Sequence, residues 1–151
     1  GLVTMVAYNY GAKKQKRIKE SIHWAMVYAF CFTGISFLSI ELFPQAILSL
    51  FDASEELMGI GVPAIRIFAV CYLVSVISLV LSASFQGFGN GKYSLYLNIT
   101  RQVALPLLFA VLLSIAGRVG LIWYAYLLAE ILALPLAIYL YKRICKEAAV
   151  I

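Results

Sequence analysis

Hydrophobic residues fill the chain in four long runs, and polar residues, Pro or Gly bound each run. A helix crosses a bilayer core about 30 Å thick with roughly 20 mostly apolar residues. The runs have that length, so they predict transmembrane helices at residues 22–43, 62–85, 95–116 and 121–141. The expected fold class is all-α, a polytopic transmembrane helix bundle with short loops.

Polar residues and prolines predict where these helices begin and end. Ser21 is a plausible N-cap of the first helix and Pro44 ends it. Pro63 is placed in the first turn of the second helix, where its missing N–H costs nothing. Residues 44–58 are too short and too polar to span, so we expect an external interfacial connector in which Ser54 and its acidic neighbours cap the second helix.

Composition also favours a membrane protein and excludes several classes of function. Hydrophobic residues make up 64% of the chain, charged residues 13%, and the mean hydropathy is +0.94, which a soluble domain does not tolerate. The net charge is +5, but the cations lie in short clusters between apolar runs, so no nucleic-acid partner is expected. The cysteines lack metal-site spacing and no nucleophile stands beside a base, so neither a metal site nor an enzyme is predicted.

Charged residues at the ends of the runs predict the orientation in the membrane. If successive helices cross the membrane in opposite directions, one side of the membrane carries a basic loop at 11–21, Lys92 and a basic tail at 142–151. The acidic connector and Arg118 lie on the other side. Cytoplasmic loops carry an excess of Lys and Arg, so the basic side is predicted to be cytoplasmic. The chain starts in an apolar segment without an initiator Met, and we expect residues 1–10 to be the end of a truncated span.

The second run carries a stripe of small, weakly polar side chains. Steps of four, three and four residues place on one helix face Cys71, Ser75, Ser78 and Ser82. A close-packing seam against a neighbouring helix is the favoured interpretation, because small residues at this spacing mark helix interfaces in membranes. A cavity wall lined with hydroxyls is the alternative.

Charged side chains inside the third and fourth runs are candidates for function, because hydrocarbon makes them costly. Arg101 lies on one side of the third run with Asn98 and Gln102, near its cytoplasmic end, and Glu130 lies inside the fourth. At 1.5 Å per residue, Arg101 and Glu130 are about 10 and 16 Å from those ends. We hypothesise that they pair across the two helices. The alternative is that Glu130 is a titrating coupling site.

Two prolines inside the runs and one glycine-rich segment affect the backbone. Pro106 and Pro135 each remove a helix donor, which predicts either a static bend or a hinge. The glycine-rich residues 86–92 end a helix and follow no strand, so they predict a tight loop rather than a phosphate cradle.

Short motifs occur along the chain in a definite order. These landmarks are Tyr8-Asn-Tyr-Gly-Ala-Lys13, Phe43-Pro44, Leu50-Phe51, Gln86-Gly-Phe-Gly-Asn90, Arg101, Leu105-Pro-Leu107, Ile122-Trp-Tyr-Ala125 and Ala129-Glu130. In this order and spacing the chain resembles the C-terminal half of a multidrug and toxic compound extrusion (MATE) transporter.

The resemblance implies twelve spans in two six-helix lobes, of which this chain would hold the end of the eighth span and spans nine to twelve. It implies export of cationic or amphipathic drugs in exchange for Na⁺ or H⁺, without a cofactor, across a bacterial or archaeal cytoplasmic membrane. The implied partners are a small organic substrate, membrane lipids and the missing N-terminal lobe. Some members carry a coupling carboxylate where this chain has Ser75, so the DinF-like branch, with an aspartate in the first span, fits better.

The candidate functional residues form three sets. They are the substrate-cavity candidates Ser75, Ser78 and Asn98, the ion-pair or coupling candidates Arg101 and Glu130, and the hinge candidates Pro106 and Pro135. Two alternative functions stay open. A flippase for a lipid-linked saccharide, from the same wider superfamily, would need more cations in its cavity. A non-transporting membrane scaffold would need neither kinks nor internal charges.

Overall fold

The computed structural model describes residues 1–115, 117 and 121–148, and the regular elements in that part of the chain are helices. The α-helices are α1 (Leu2–Gly11), α2 (Gln15–Leu42), α3 (Pro44–Ser49), α4 (Glu55–Gly87), α5 (Gly91–Ile99), α6 (Leu105–Ile115) and α7 (Tyr124–Glu147), and a π-helical segment (Thr100–Ala104) joins α5 to α6. Within the described residues, α2, α4, the continuous stretch Gly91–Ile115 and α7 are long and apolar enough to cross a membrane. The predicted all-α transmembrane class is confirmed.

The first long helix begins earlier than the sequence predicts. α2 starts at Gln15, and Ser21 lies inside it with its hydroxyl donating to the Arg17 carbonyl at 2.7 Å, so the prediction that Ser21 is the N-cap is wrong. The chain turns instead at Lys13, whose φ is +54°. No Gly or Pro interrupts residues 15–22, so most of the predicted basic loop continues the helix toward the α1 end.

The second long helix also extends beyond its apolar run. α4 begins at Glu55, and the Ser54 hydroxyl caps it by accepting the Leu57 N–H at 3.3 Å, as the acidic connector predicts. Pro63 therefore lies in the helix interior, and its predicted place in the first turn is wrong. The cap and the first-turn carboxylates favour helix two turns upstream of the proline. The connector itself contains only the short α3.

The last two spans differ from prediction mainly at their ends. α7 starts at Tyr124 rather than at residue 121 and continues through Pro135 to Glu147, so the cations of the predicted tail stand on a helix. The predicted third span begins at 95, whereas helix starts at Gly91. Ala116, Arg118 and residues 149–151 lie outside the described residues.

The π-helical segment lies directly before Pro106. This proline has no N–H for the Gln102 carbonyl, and in a regular helix its ring would press on that oxygen. A π turn, in which hydrogen bonds join residues five apart, widens the backbone and accommodates the misfit. The predicted irregularity at Pro106 therefore takes the form of a wider turn.

α4 is the central helix, with contacts to α1, α2, α3, α5 and α7. The largest fully buried side chains include Phe85, Leu97 and Ile144, which come from α4, α5 and α7. Gly87, at the end of α4, lies directly against Val6 of α1. The core is therefore built where the end of α4 meets its neighbours.

Charges divide the bundle into a basic and an acidic end. The Tyr10 ring packs edge-on against Phe88 and the Arg143 guanidinium lies over Tyr93, so the clustered cations of the chain meet at one end. At the other end, the Arg66 guanidinium and the Glu41 carboxylate are 3.5 Å apart and link α4 to α2. The assignment of the basic end to the cytoplasm stays a prediction.

Candidate functional site

A buried ion pair joins the third and fourth spans. The Arg101 Nη1 and the Glu130 Oε1 are 2.6 Å apart, and only 3% and 9% of the two side chains is exposed. The contact predicted between these residues is present. Each charge neutralises the other in an apolar bundle, where an isolated charge would be strongly disfavoured.

Hydrogen bonds extend from this pair toward the basic end. The Arg101 Nε donates to the Asn98 Oδ1 at 3.3 Å, and the Asn98 amide donates to the Ser82 hydroxyl at 3.0 Å. Ser82 and Ser94 share a hydrogen bond of 2.7 Å between their hydroxyls, and the Gln86 amide donates to Ser94 at 2.9 Å. We call this set of six residues, Glu130, Arg101, Asn98, Ser82, Ser94 and Gln86, the polar network.

Helix geometry explains how the third span contributes to the polar network. Ser94, Asn98 and Arg101 are separated by four and three residues, a spacing that puts them on one helix face. Arg101 is the second residue of the π segment, in which the backbone widens. Gln102, expected on the same side, is exposed and lines a separate cavity of about 380 Å³ beside Pro106. The expectation that it shares a side with Arg101 is therefore wrong, because consecutive residues of a helix point in different directions.

The small-residue stripe of α4 faces the interior. Cys71, Ser75, Ser78 and Ser82 are all buried, and α7 brings a matching row of buried alanines at 125, 129, 133 and 137. The Ser75 hydroxyl bonds its own helix at Tyr72 O, as is common for buried serines in membrane helices. This arrangement agrees with the favoured packing seam. The cavity role proposed for Ser75, Ser78 and Asn98 stays a prediction.

Two buried oxygens near this seam have no hydrogen-bond partner among the described residues. They are the Ser78 Oγ and the Glu130 Oε2. Glu130 thus uses one carboxylate oxygen for Arg101 and keeps the second available as an acceptor. Protonation of Glu130 would leave the Arg101 guanidinium buried without a counter-charge.

Part of the polar network was not expected from the sequence. The sequence pattern does not single out Ser94, although its spacing to Asn98 and Arg101 is a usable signal. Gln86 stands out only as part of a loop motif. Nothing in the sequence around Ser82, in the small-residue stripe, indicates that its hydroxyl also bonds to α5. That contact depends on how the two helices pack.

Asn98 connects the charged pair to the serine hydroxyls, and Asn98→Ala should expose that role. We expect a loss of about 1–2 kcal/mol in the free energy of unfolding, because the change removes a hydrogen-bond partner from Arg101 and from Ser82. Denaturant titration of the purified protein measures it. Gln102→Ala, an exposed neighbour in the π segment, is the matched control and should change stability by less than about 0.5 kcal/mol. Equal effects of the two variants would mean that Asn98 is not a structural junction.

Comparison with known proteins identifies the class of transporter. The MatE family model matches residues 1–112, most of the chain, including α1 to α5 and most of α6. The chain matches no curated protein and no solved structure. The matched stretch covers the motifs from Tyr8 to Leu107, and the membrane-length helices agree with it. The chain belongs to the MatE family of integral membrane transporters.

Proposed function

We propose that the protein is a secondary active antiporter that exports cationic or amphipathic compounds in exchange for Na⁺ or H⁺. The observation that carries the proposal is the Arg101–Glu130 pair, buried inside the bundle of a MatE-family chain. Ionisable residues inside spans are costly and are retained mainly where transport or helix contact requires them. The protein would bind its coupling ion and its substrate in alternation.

The proposal includes the place of this chain in the transporter. We assign it to the C-terminal lobe of a twelve-span protein of the DinF-like branch, in a bacterial or archaeal cytoplasmic membrane with the basic end inside. The absence of an acidic residue between Val62 and Phe85 supports this branch. The main coupling carboxylate would then lie in the N-terminal lobe, and Glu130 would support it from this lobe.

Alternating access requires helices that change shape. We propose that the third span bends at its π segment beside Pro106 and that the fourth bends at Pro135. π segments and interior prolines both weaken the regular hydrogen-bond ladder, so bending there breaks few bonds. Ser75, Ser78 and Asn98 are the proposed contributors to the substrate cavity when the lobes separate.

The experiment is efflux of a fluorescent organic cation from vesicles that contain the full-length natural protein. Sodium and proton gradients are imposed separately, and an ionophore that collapses each gradient serves as the control. We expect efflux under one gradient and none after its collapse. No efflux under either gradient, from protein shown to be folded, would refute the antiporter and favour the lipid-linked saccharide flippase.

A further inference from the structure

A surface cavity of about 490 Å³ lies at the basic end of α7, apart from the polar network. Its lining residues are Tyr139, Lys142, Arg143, Lys146 and Glu147. Three cations and one carboxylate give the cavity a net charge of +2. Neither lysine forms an ion pair among the described residues, so both ammonium groups are available to a ligand.

Arg143 is held in place by two neighbours. Its Nε donates to the Glu147 carboxylate at 3.0 Å, and its guanidinium lies over the Tyr93 ring at 5.7 Å from the centroid. Tyr93 belongs to α5, so this contact places α5 beside the α7 residues that line the cavity. Lys142 and Lys146 are four residues apart and therefore project from the same face of α7. Two ammonium groups on adjacent turns can converge on one phosphate.

The cavity lies at the level expected for lipid headgroups. From Tyr124 to Tyr141, α7 is mostly apolar and about 27 Å long at 1.5 Å per residue, close to one bilayer core. The cations start directly after this stretch. Tyr139, which is 59% exposed, stands at the boundary, where tyrosines are common in membrane helices.

The adjacent surface of α5 is apolar enough for acyl chains. Leu95 and Tyr96 are exposed, and Tyr96 lies about one turn along α5 from Tyr93. A phospholipid whose headgroup occupies the cavity could therefore lay its acyl chains on this neighbouring apolar surface. A soluble phosphate ion would contact only the cations.

We propose that this cavity binds the headgroup of an anionic phospholipid, with Lys142 and Lys146 contacting the phosphate and Tyr139 and Tyr96 flanking the acyl chains. Basic pockets between membrane helices are known to suit headgroups of this kind. The cavity shares no residue with the polar network, so this proposal does not rest on the transport function proposed above.

Lipid titration monitored by native mass spectrometry tests the proposal. The full-length natural protein is stripped of lipid in detergent and titrated with cardiolipin, phosphatidylglycerol or phosphatidylcholine. Each Lys or Arg near a membrane surface adds about fivefold to affinity for anionic lipid. The double variant Lys142→Gln/Lys146→Gln should therefore lose about 25-fold in affinity for the first bound anionic lipid.

A matched double variant controls for the general charge of the basic end. Lys13→Gln/Lys14→Gln removes the same charge from the α1–α2 corner, outside the cavity, and should change the affinity less than threefold. Equal losses in both double variants would overturn the site, because diffuse charge would then account for binding. Equal affinity for phosphatidylcholine would overturn the anionic preference. Displacement of cardiolipin by millimolar inorganic phosphate would identify a soluble phosphate site instead.

Discussion

Glu130→Gln is expected to lower the free energy of unfolding by about 3 kcal/mol. The substitution leaves the Arg101 guanidinium buried without its counter-charge, and breaking such a pair on one side typically costs about 3–5 kcal/mol. The Gln side chain can still accept one hydrogen bond, which places the expected loss at the lower limit. Denaturant titration of the purified full-length protein in detergent measures the change.

An exposed pair of the same chemistry provides the matched control. Glu41 lies beside Arg66 at the acidic end, with side chains 33% and 48% exposed. Glu41→Gln should cost less than about 1 kcal/mol, because water screens the charges. The double variant Arg101→Met/Glu130→Met should recover most of the stability lost by Glu130→Gln, since an apolar pair leaves no buried charge.

Stability and transport together separate the two roles considered for Glu130. A Glu130→Gln protein of normal yield and stability that has lost ion coupling would contradict the structural role of the pair and support a titrating coupling site. A protein that loses stability and transport together, with both lost in proportion, would support the pair. Efflux assays on the same preparations distinguish these outcomes.

The second large effect is expected at Gly87, where α1 crosses the end of α4. A Cβ at this position would lie 2.6 Å from the Val6 Cβ and 3.0 Å from the Val3 carbonyl oxygen. The Val3 oxygen is part of the α1 backbone and the Val6 Cβ is bonded directly to it. Neither atom can move by a side-chain rotation, so the whole of α1 must shift. Gly87→Ala should therefore destabilise the protein by about 1–3 kcal/mol, a typical cost of overpacking.

A glycine with free space around it tests this explanation. Gly34, inside α2, has no atom within 4 Å of an added Cβ. Gly34→Ala should raise stability by up to about 1 kcal/mol, because alanine favours helix. Thermal unfolding of the two variants in the same detergent compares them. Destabilisation of equal size at both glycines would mean that the contact with α1 is not the cause.

The charged pair was predictable because the depth of a residue in a membrane helix follows from counting. Arg101 and Glu130 lie at comparable depth on consecutive antiparallel spans, and each charge needs a partner in hydrocarbon. Few other partners were available to either side chain. The sequence therefore favoured the pair over a titrating Glu130, and the contact itself is seen in the 2.6 Å distance between the two side chains.

Helix ends were predicted less well, for a physical reason. Hydropathy indicates which residues can lie in hydrocarbon, whereas helix continues for as long as its backbone is capped and unobstructed. α2 begins before Ser21 and α4 begins well before Pro63, because nothing nearby breaks the helix and Ser54 provides a cap. A span predicted from hydropathy can therefore be shorter than the helix that contains it.

The sequence by itself determined the class of this protein, because four membrane-length runs, a basic and an acidic end and the family motifs follow from hydropathy, charge and spacing. It favoured the Arg101–Glu130 pair without deciding it. Only the tertiary structure decided the rest. The π segment before Pro106 has no signal in the hydropathy pattern, and packing of α4 on α5 joins Ser82 to Ser94. Rotation and close approach of helices depend on the summed fit of many side chains, and that sum has no local signature in the sequence.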